Sequence, residues 1–240
     1  IGNQAPESHE TNYTSRETLI QLTAGINLNP DFAILWSERF HDVRVEQGAV
    51  ESLPQTKSEF PHLTGIEGAQ IFGHKLALRY DTRDKQLVTT RGTYIIGSVE
   101  LSQNLEREDP NRWIRTEIDA RHFIPHFGDR MIFVARFLAD AVNGKKVPFY
   151  ERPTLGGETT LRAFGQSRFI DDTLLLVNFE ERFRFLHKNM YDHELDFEVA
   201  PFVDIGRKRA ARGCQELCRQ APERRVAAIA DKRGTAQIID

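Results

Sequence analysis

No stretch of this chain holds the roughly 18 consecutive apolar residues that a membrane-spanning helix requires. Mean hydropathy is only −0.48. A transmembrane helix is thereby excluded, but a membrane is not. A barrel strand needs only about ten residues of alternating polarity, and its lumen face is polar. An excess of one charge is also lacking: 32 Lys and Arg stand against 35 Asp and Glu, for a net charge of −3. That balance argues against a nucleic-acid surface, and no nucleic-acid partner is expected. Cysteine is absent from the first 213 residues, which suits an oxidising envelope. Cys214 and Cys218 stand near the C-terminus without the further ligands that zinc needs, and read as incidental thiols. His122 and His126 have a spacing that gathers ligands on a helix, not on a strand. No glycine-rich phosphate loop or nucleophile elbow is present, since "GQSRF" is not G-x-S-x-G. No catalytic residue, metal or cofactor is therefore expected. The opening "IGNQAPESHE" lacks a Met, a basic n-region and an apolar h-region. The chain reads as a fragment or a mature form.

What is present is strand. Eight segments qualify: 17–29, 31–47, 73–84, 92–103, 112–126, 130–142, 173–186 and 194–206. Each spans roughly 10–15 residues, well beyond the usual 5–6 of globular strands. Short turns fall near residues 30, 88, 128 and 190, and longer connections at 48–70, 104–111 and 143–172. Short turns at one end and longer loops at the other are the rhythm of an outer-membrane barrel. The faces agree. Val177, Phe179, Phe183 and Phe185 alternate with Asn178, Glu180, Arg182 and Arg184. Glu181 interrupts the apolar row and belongs near a rim, where its cost falls. Pro201 removes a ladder hydrogen bond and predicts a bulge or weak edge. A soluble sandwich or lipocalin-like barrel would alternate in the same way, with its apolar face as core.

Three segments are more specific. "LRYDTRDKQLVTTRGTY" (78–94) carries Tyr80, Asp81, Arg83 and Asp84, then Arg91 and Gly92. "PFYERPTLGGETTLRAFGQSRF" (148–169) carries Gly156 and Gly157, then Leu161, Arg162, Ala163 and Phe164. "PFVDIG" (201–206) carries Phe202, Asp204 and Gly206, after a strand with Asn178, Glu180 and Arg182. In this order and spacing the chain resembles the BamA-like family of outer-membrane β-barrel assembly factors. One departure is Ala163, which stands where that family carries glycine.

The resemblance covers roughly residues 17–206. It implies an all-β, antiparallel up-and-down transmembrane β-barrel with about eight of roughly sixteen strands present. It further implies that loop 143–172 folds back into the lumen, where Arg162 meets inner-wall acids. Glu180 and Asp204 lie on the polar faces of their strands and are the candidate partners. Taken alone, Arg162 reads as a solvated loop arginine. The Tyr80–Asp84 and Arg91–Gly92 segment reads best as a polar turn. The implied function is insertion of other barrel proteins into the outer membrane. The implied partners are the lipid bilayer, unfolded outer-membrane β-barrel substrates and assembly-complex lipoproteins. A two-partner secretion transporter and a BamA-like anchor of an envelope lipase are the related alternatives.

Both ends depart from the pattern. Residues 1–16 read as an N-terminal segment. Residues 207–240 hold no aromatic residue, and the alternation stops there. This tail reads as non-barrel, through a change of reading frame near Arg207 or a helical extension. A partial barrel of eight strands would leave two long edges.

Overall fold

A strand with one apolar and one polar face needs two different surroundings. Antiparallel neighbours joined by turns align those faces in register. The computed structural model of the chain describes residues 11–105, 111–128, 130–190, 193–209, 225–230 and 236–239. Its strands begin with β1 (Tyr13–Asn27), β2 (Phe32–Gln47), β3 (Ala69–Asp81), β4 (Gly92–Asn104), β5 (Arg112–His126) and β6 (Met131–Gly144). The two-residue strands β7 (Thr154–Leu155) and β8 (Phe169–Ile170) follow. Then come β9 (Thr173–Met190), β10 (His193–Val199), β11 (Phe202–Arg209), β12 (Arg225–Ala230) and β13 (Ala236–Ile239). One helical turn, α1 (Thr56–Glu59), lies between β2 and β3.

Eleven strands form one sheet in the order β1-β2-β3-β4-β5-β6-β9-β11-β12-β13, with β10 paired to β9 beside β11. Its neighbours run antiparallel. The architecture is all-β and up-and-down, and β1 and β13 end the sheet order among the described residues. The small β7–β8 ladder stands apart, inside the connection between β6 and β9.

The two faces follow the alternation. Cross-strand triplets such as Trp36, Leu76 and Val99 are paired in register and all stay exposed. The next triplet in register, Ser37, Lys75 and Glu100, faces the other way, with Ser37 and Glu100 buried. Phe133 stacks on Phe179 along the outer face of β6 and β9, with ring centroids 6.0 Å apart. Glu181 sits on that face beside His126, at 3.2 Å, close to the β5–β6 turn.

Besides a cluster of Phe123, Ile132 and Val134 on β5 and β6, two buried apolar clusters lie where the connection 145–172 meets the inner face of the wall. One gathers Leu155, Leu161 and Phe169 of the connection with Leu138 of β6 and Leu174 and Leu176 of β9. The other gathers Val147 with Ala69, Ile71, Trp113 and Val142.

The segment 194–206, one strand by its alternation, is two. β10 carries a register shift between Phe197 and Glu198, and β11 starts only after Ala200–Pro201. Proline has no N–H for the ladder, so the strand breaks beside it. Its carbonyl still accepts from the Glu181 N–H at 3.0 Å. β1 begins at Tyr13, four residues before the pattern from 17 onward, because Tyr13–Arg16 find partners in Arg44–Gln47. In the tail expected to be helical or out of frame, the described backbone is extended: β12 pairs with β11 and β13 with β12. Val226, Ile229, Ile238 and Ile239 supply β-branched residues there. Cys214 and Cys218 lie outside the described residues.

The face assignment predicts opposite outcomes for one charge on two rows. Leu76, half exposed in the middle of β3, changed to Arg should lower stability in bilayers by about 2–4 kcal/mol. Lys75→Arg, one residue away on the inner face, should change it by less than about 0.5 kcal/mol. Urea unfolding in lipid vesicles measures both.

Candidate functional site

The connection from β6 to β9 is too long to be a simple turn, and its own sequence folds it back on itself. Gly156 and Gly157 adopt φ of 111° and 95°, a region that side chains disfavour. A Cβ at Gly156 would lie 2.3 Å from the Gly165 carbonyl oxygen. The chain therefore doubles back there, with the Gly157 N–H donating to the Phe164 carbonyl at 3.0 Å. Thr160 Oγ1 accepts from the Gly156 N–H at 2.8 Å. Phe164 and Phe169 meet edge to face at 5.1 Å. Ala163 is not among the residues with positive φ, so its Cβ adds no left-handed strain to the turn.

This fold points Arg162 at the wall. Its backbone N–H and Nε donate to Asp204 Oδ2 at 2.9 and 3.1 Å. Its second terminal nitrogen donates to Asp204 Oδ1 at 2.8 Å. Asn178 donates to that same oxygen at 2.7 Å. Each carboxylate oxygen thus receives two hydrogen bonds, which fills its acceptor capacity. Asp204 is fully buried, so water could not have done this. The remaining Arg162 terminal nitrogen donates to Glu180, whose other oxygen takes Arg182 Nε at 2.7 Å. The Phe202 ring lies under the guanidinium, 3.6 Å from its centre, a contact worth about 0.5–2 kcal/mol. Burial pushes the Arg162 pKa down, but hydrogen bonds to Asp204 and Glu180 and their charges outweigh it and raise it.

Register explains why these residues converge. β11 pairs with β9 so that Phe202 faces Glu180, Asp204 faces Asn178 and Gly206 faces Leu176. Alternate residues share a face, so the aromatic platform, the acid and the glycine line up under the loop. Gly206 has a steric role. A Cβ there would sit 2.8 Å from a methyl of Leu161, which is 1% exposed. The missing side chain is the hollow into which Leu161 packs. Filling it stabilises the loop by about 1.5–3 kcal/mol.

The neighbouring wall holds the loop tip through a second arginine. Arg136 of β6 donates to the Thr159 carbonyl. Asp119 of β5 orients Arg136 with bonds of 3.0 and 2.8 Å. The root of the loop has its own contacts. Glu151, in a single 3-10 turn (Phe149–Glu151), is 3% exposed. Arg39 of β2 reaches both of its oxygens, at 3.0 and 2.7 Å. His41 Nδ1 lies 2.8 Å from Glu151 Oε1.

The hairpin residues lie elsewhere. Asp81 takes two bonds of 2.8 Å from Arg83, and Arg83 lies over the Tyr94 ring at 4.4 Å. Asp84 accepts from the N–H groups of Thr90 and Arg91 at 2.9 and 3.2 Å. Tyr80 packs on Phe32 at 4.7 Å. Gly92 has φ of 108°. Together they form a polar turn between β3 and β4 that also rests on Asp31 and Phe32 at the start of β2. Arg39, Glu100, Asp119 and Arg136 are not among the residues that the sequence motifs single out. Nothing local shows which loop residues Arg39 and Arg136 meet, because those partners lie 112 and 23 positions away.

A one-layer antiparallel wall, apolar outside and ion-paired inside, with a long loop held against its inner face, defines an outer-membrane β-barrel protein. The chain belongs to the Omp85 superfamily: the Omp85 superfamily domain matches residues 4–221. The family is one of outer-membrane protein insertion and transport. Among solved structures, the fold is similar to BamA from Haemophilus ducreyi lacking POTRA domains 1–3, with a TM-score of 0.67 and 14% identity. That match covers 90% of this chain and 48% of the other, so the chain spans about half the length of that structure. No curated protein matches the chain.

Two outcomes follow from this geometry. Gly206→Val should expel Leu161 and destabilise the barrel by about 1–3 kcal/mol, measured as a lower urea midpoint. Separately, burial pushes the Glu151 carboxyl up, but hydrogen bonds and charge from His41 and Arg39 hold it down at about 2. The docked root therefore gains its full stabilisation above pH ~4.5 and loses it as pH falls toward 2. Trp113 is buried beside Val147 of the root. In a Trp36→Phe background, Trp113 emission should shift to the red across that window. Glu151→Gln should remove most of the dependence.

Proposed function

We propose that this chain forms the wall and lumen loop of a machine that inserts other β-barrel proteins into the outer membrane. The observation that carries this reading is the saturated Arg162–Asp204 contact, in which a loop residue satisfies a wall carboxylate with no access to water. A loop held so firmly keeps the lumen filled and the wall in one shape. A passive pore would need the opposite. The work itself involves no bond-making chemistry and no cofactor. An incoming unfolded strand needs partners for its N–H and C=O groups in a medium without water. An exposed strand edge supplies them, as in β-augmentation. The bilayer and unfolded outer-membrane β-barrel chains are the partners on this reading, with assembly lipoproteins as accessory factors.

The guanidinium matters for its shape as well as its charge. It reaches both oxygens of Asp204 and still has a donor for Glu180. A lysine ammonium is a point charge without that fork. The test is insertion of an unfolded barrel substrate into vesicles that carry the protein. Arg162→Ala should slow insertion about tenfold or more, equivalent to about 1.4 kcal/mol. Arg162→Lys should recover only a minor part of the loss. Insertion at the native rate by both variants would remove the basis for this function.

A further inference from the structure

The Arg162 contact fastens the tip of the loop to β9 and β11, at one side of the sheet. The root makes a second, separate attachment to the other side. Arg39 is bracketed by two carboxylates. Glu151 from the loop takes two of its nitrogens, and Glu100 of β4 takes Nε at 3.0 Å and one terminal nitrogen at 2.6 Å. Ser102 of β4 donates to Glu100 at 2.8 Å. His41 stands between Glu151 at 2.8 Å and Glu17 of β1 at 3.3 Å. Carboxylates only accept, so the two carboxylate bonds at His41 need a hydrogen on each ring nitrogen. Phe149 adds an edge-to-face contact with Tyr13 of β1 at 5.3 Å. Its N–H donates to the Thr64 carbonyl at 3.1 Å. The root is thus tied by polar and ring contacts to β1 and β2 and, through Arg39, to β4, beside the Val147 cluster on β3, β5 and β6.

The stretch between the attachments is stiff. From Glu151 to Arg162 is eleven residues, which could reach roughly 36–40 Å if fully extended. They are not slack. Thr154 and Leu155 pair with Ile170 and Phe169. Arg152 lies 3.3 Å from Asp172. Leu155 and Leu161 share one buried cluster with the wall. A single-layer sheet has little else to set its curvature, because neighbouring strands twist over a range of angles.

We propose that Glu151 is a second anchor, and that loop 145–172 is a two-ended tie holding β1, β2 and β4 at a set span from β9 and β11. Glu151 is a positioning residue: it acts on the wall through the loop. The proposal does not depend on what the barrel inserts, since its readout is a distance and not an activity. A tie in series fails when either end is cut. Releasing both ends then adds little to releasing one. Two independent local contacts would add.

The experiment places spin labels on the outer face, at Ile20→Cys of β1 and Leu175→Cys of β9, after Cys214 and Cys218 are changed to Ser. Ile20 pairs with Phe40 and Leu175 with Ala139, and both are exposed. Pulsed dipolar spectroscopy of the protein in bilayers gives the span and its spread. Glu151→Gln and Arg162→Ala should each broaden the distribution about twofold or more. The double variant should match either single one. Glu158→Gln, an exposed change on the same loop, should leave it narrow. If Glu151→Gln does not insert, His41→Phe carries the test, since it cuts the link from Glu151 to Glu17 of β1, the strand that bears the label, and should still broaden the distribution. An unchanged spread in the Glu151 variant, or in the His41 variant when it stands in, overturns the proposal. So does a double variant equal to the sum of its parts.

Discussion

Asp204 is a carboxylate with no exposed surface, and the organisation of the lumen depends on how it is satisfied. An isolated buried charge costs several kcal/mol even after relaxation. Here the cost is offset by four hydrogen bonds, three of them from Arg162. Because three of the four come from a loop, the wall is electrostatically incomplete without that loop. The rest is arranged around this need. Gly156 and Gly157 turn the chain, Gly206 leaves room for Leu161, and Phe202 lies beneath the cation.

The membrane imposes the complementary constraint. Backbone polar groups in a bilayer must be paired within the protein, which leaves long ladders of antiparallel strands as one of two solutions. The ladder forces side chains into two rows. The outer row is mostly apolar along β3, β6 and β9, with His74 and Glu181 as charged or polar interruptions, and the inner row is rich in ion pairs: Arg115 with Asp140, Arg121 and Arg136 with Asp119, Arg182 with Glu180. Charges on a concave, half-dry surface attract one another more strongly than exposed ones. That inner row gives the loop several attachment points.

Much of this was legible from the residues. Most strand positions, the two faces and an irregularity at Pro201 follow from period-two alternation and from proline's missing N–H, though the division of 194–206 into two strands does not. Glu181 near a turn follows from the cost of a lipid-facing charge. The pairing of Arg162 with Asp204 and Glu180 was suggested by the resemblance, because both acids lie on inward rows. The start of β1 at Tyr13 was not legible, since Tyr13–Arg16 become strand only by pairing with Arg44–Gln47. Nor was the extended tail, whose Ala- and Arg-rich sequence favours helix in isolation but pairs with β11 here. Glu151 gave no local sign of its role. Its partners Arg39 and His41 lie 112 and 110 residues earlier.

The sequence by itself determined the alternation, and with it most of the strands and their two faces, while the three motif segments, not the alternation, pointed to the class of membrane protein. Strands and faces are properties of neighbouring residues, and local periodicity encodes them. Which inward charge meets which was decided only by the tertiary structure. Register sets Asp204 beside Asn178 and Gly206 beside Leu176. The returning loop then selects, from an inner face rich in both signs, Asp204 and Glu180 at its tip and Arg39 and His41 at its root. That selection depends on distances across the lumen, which no local pattern in the chain records.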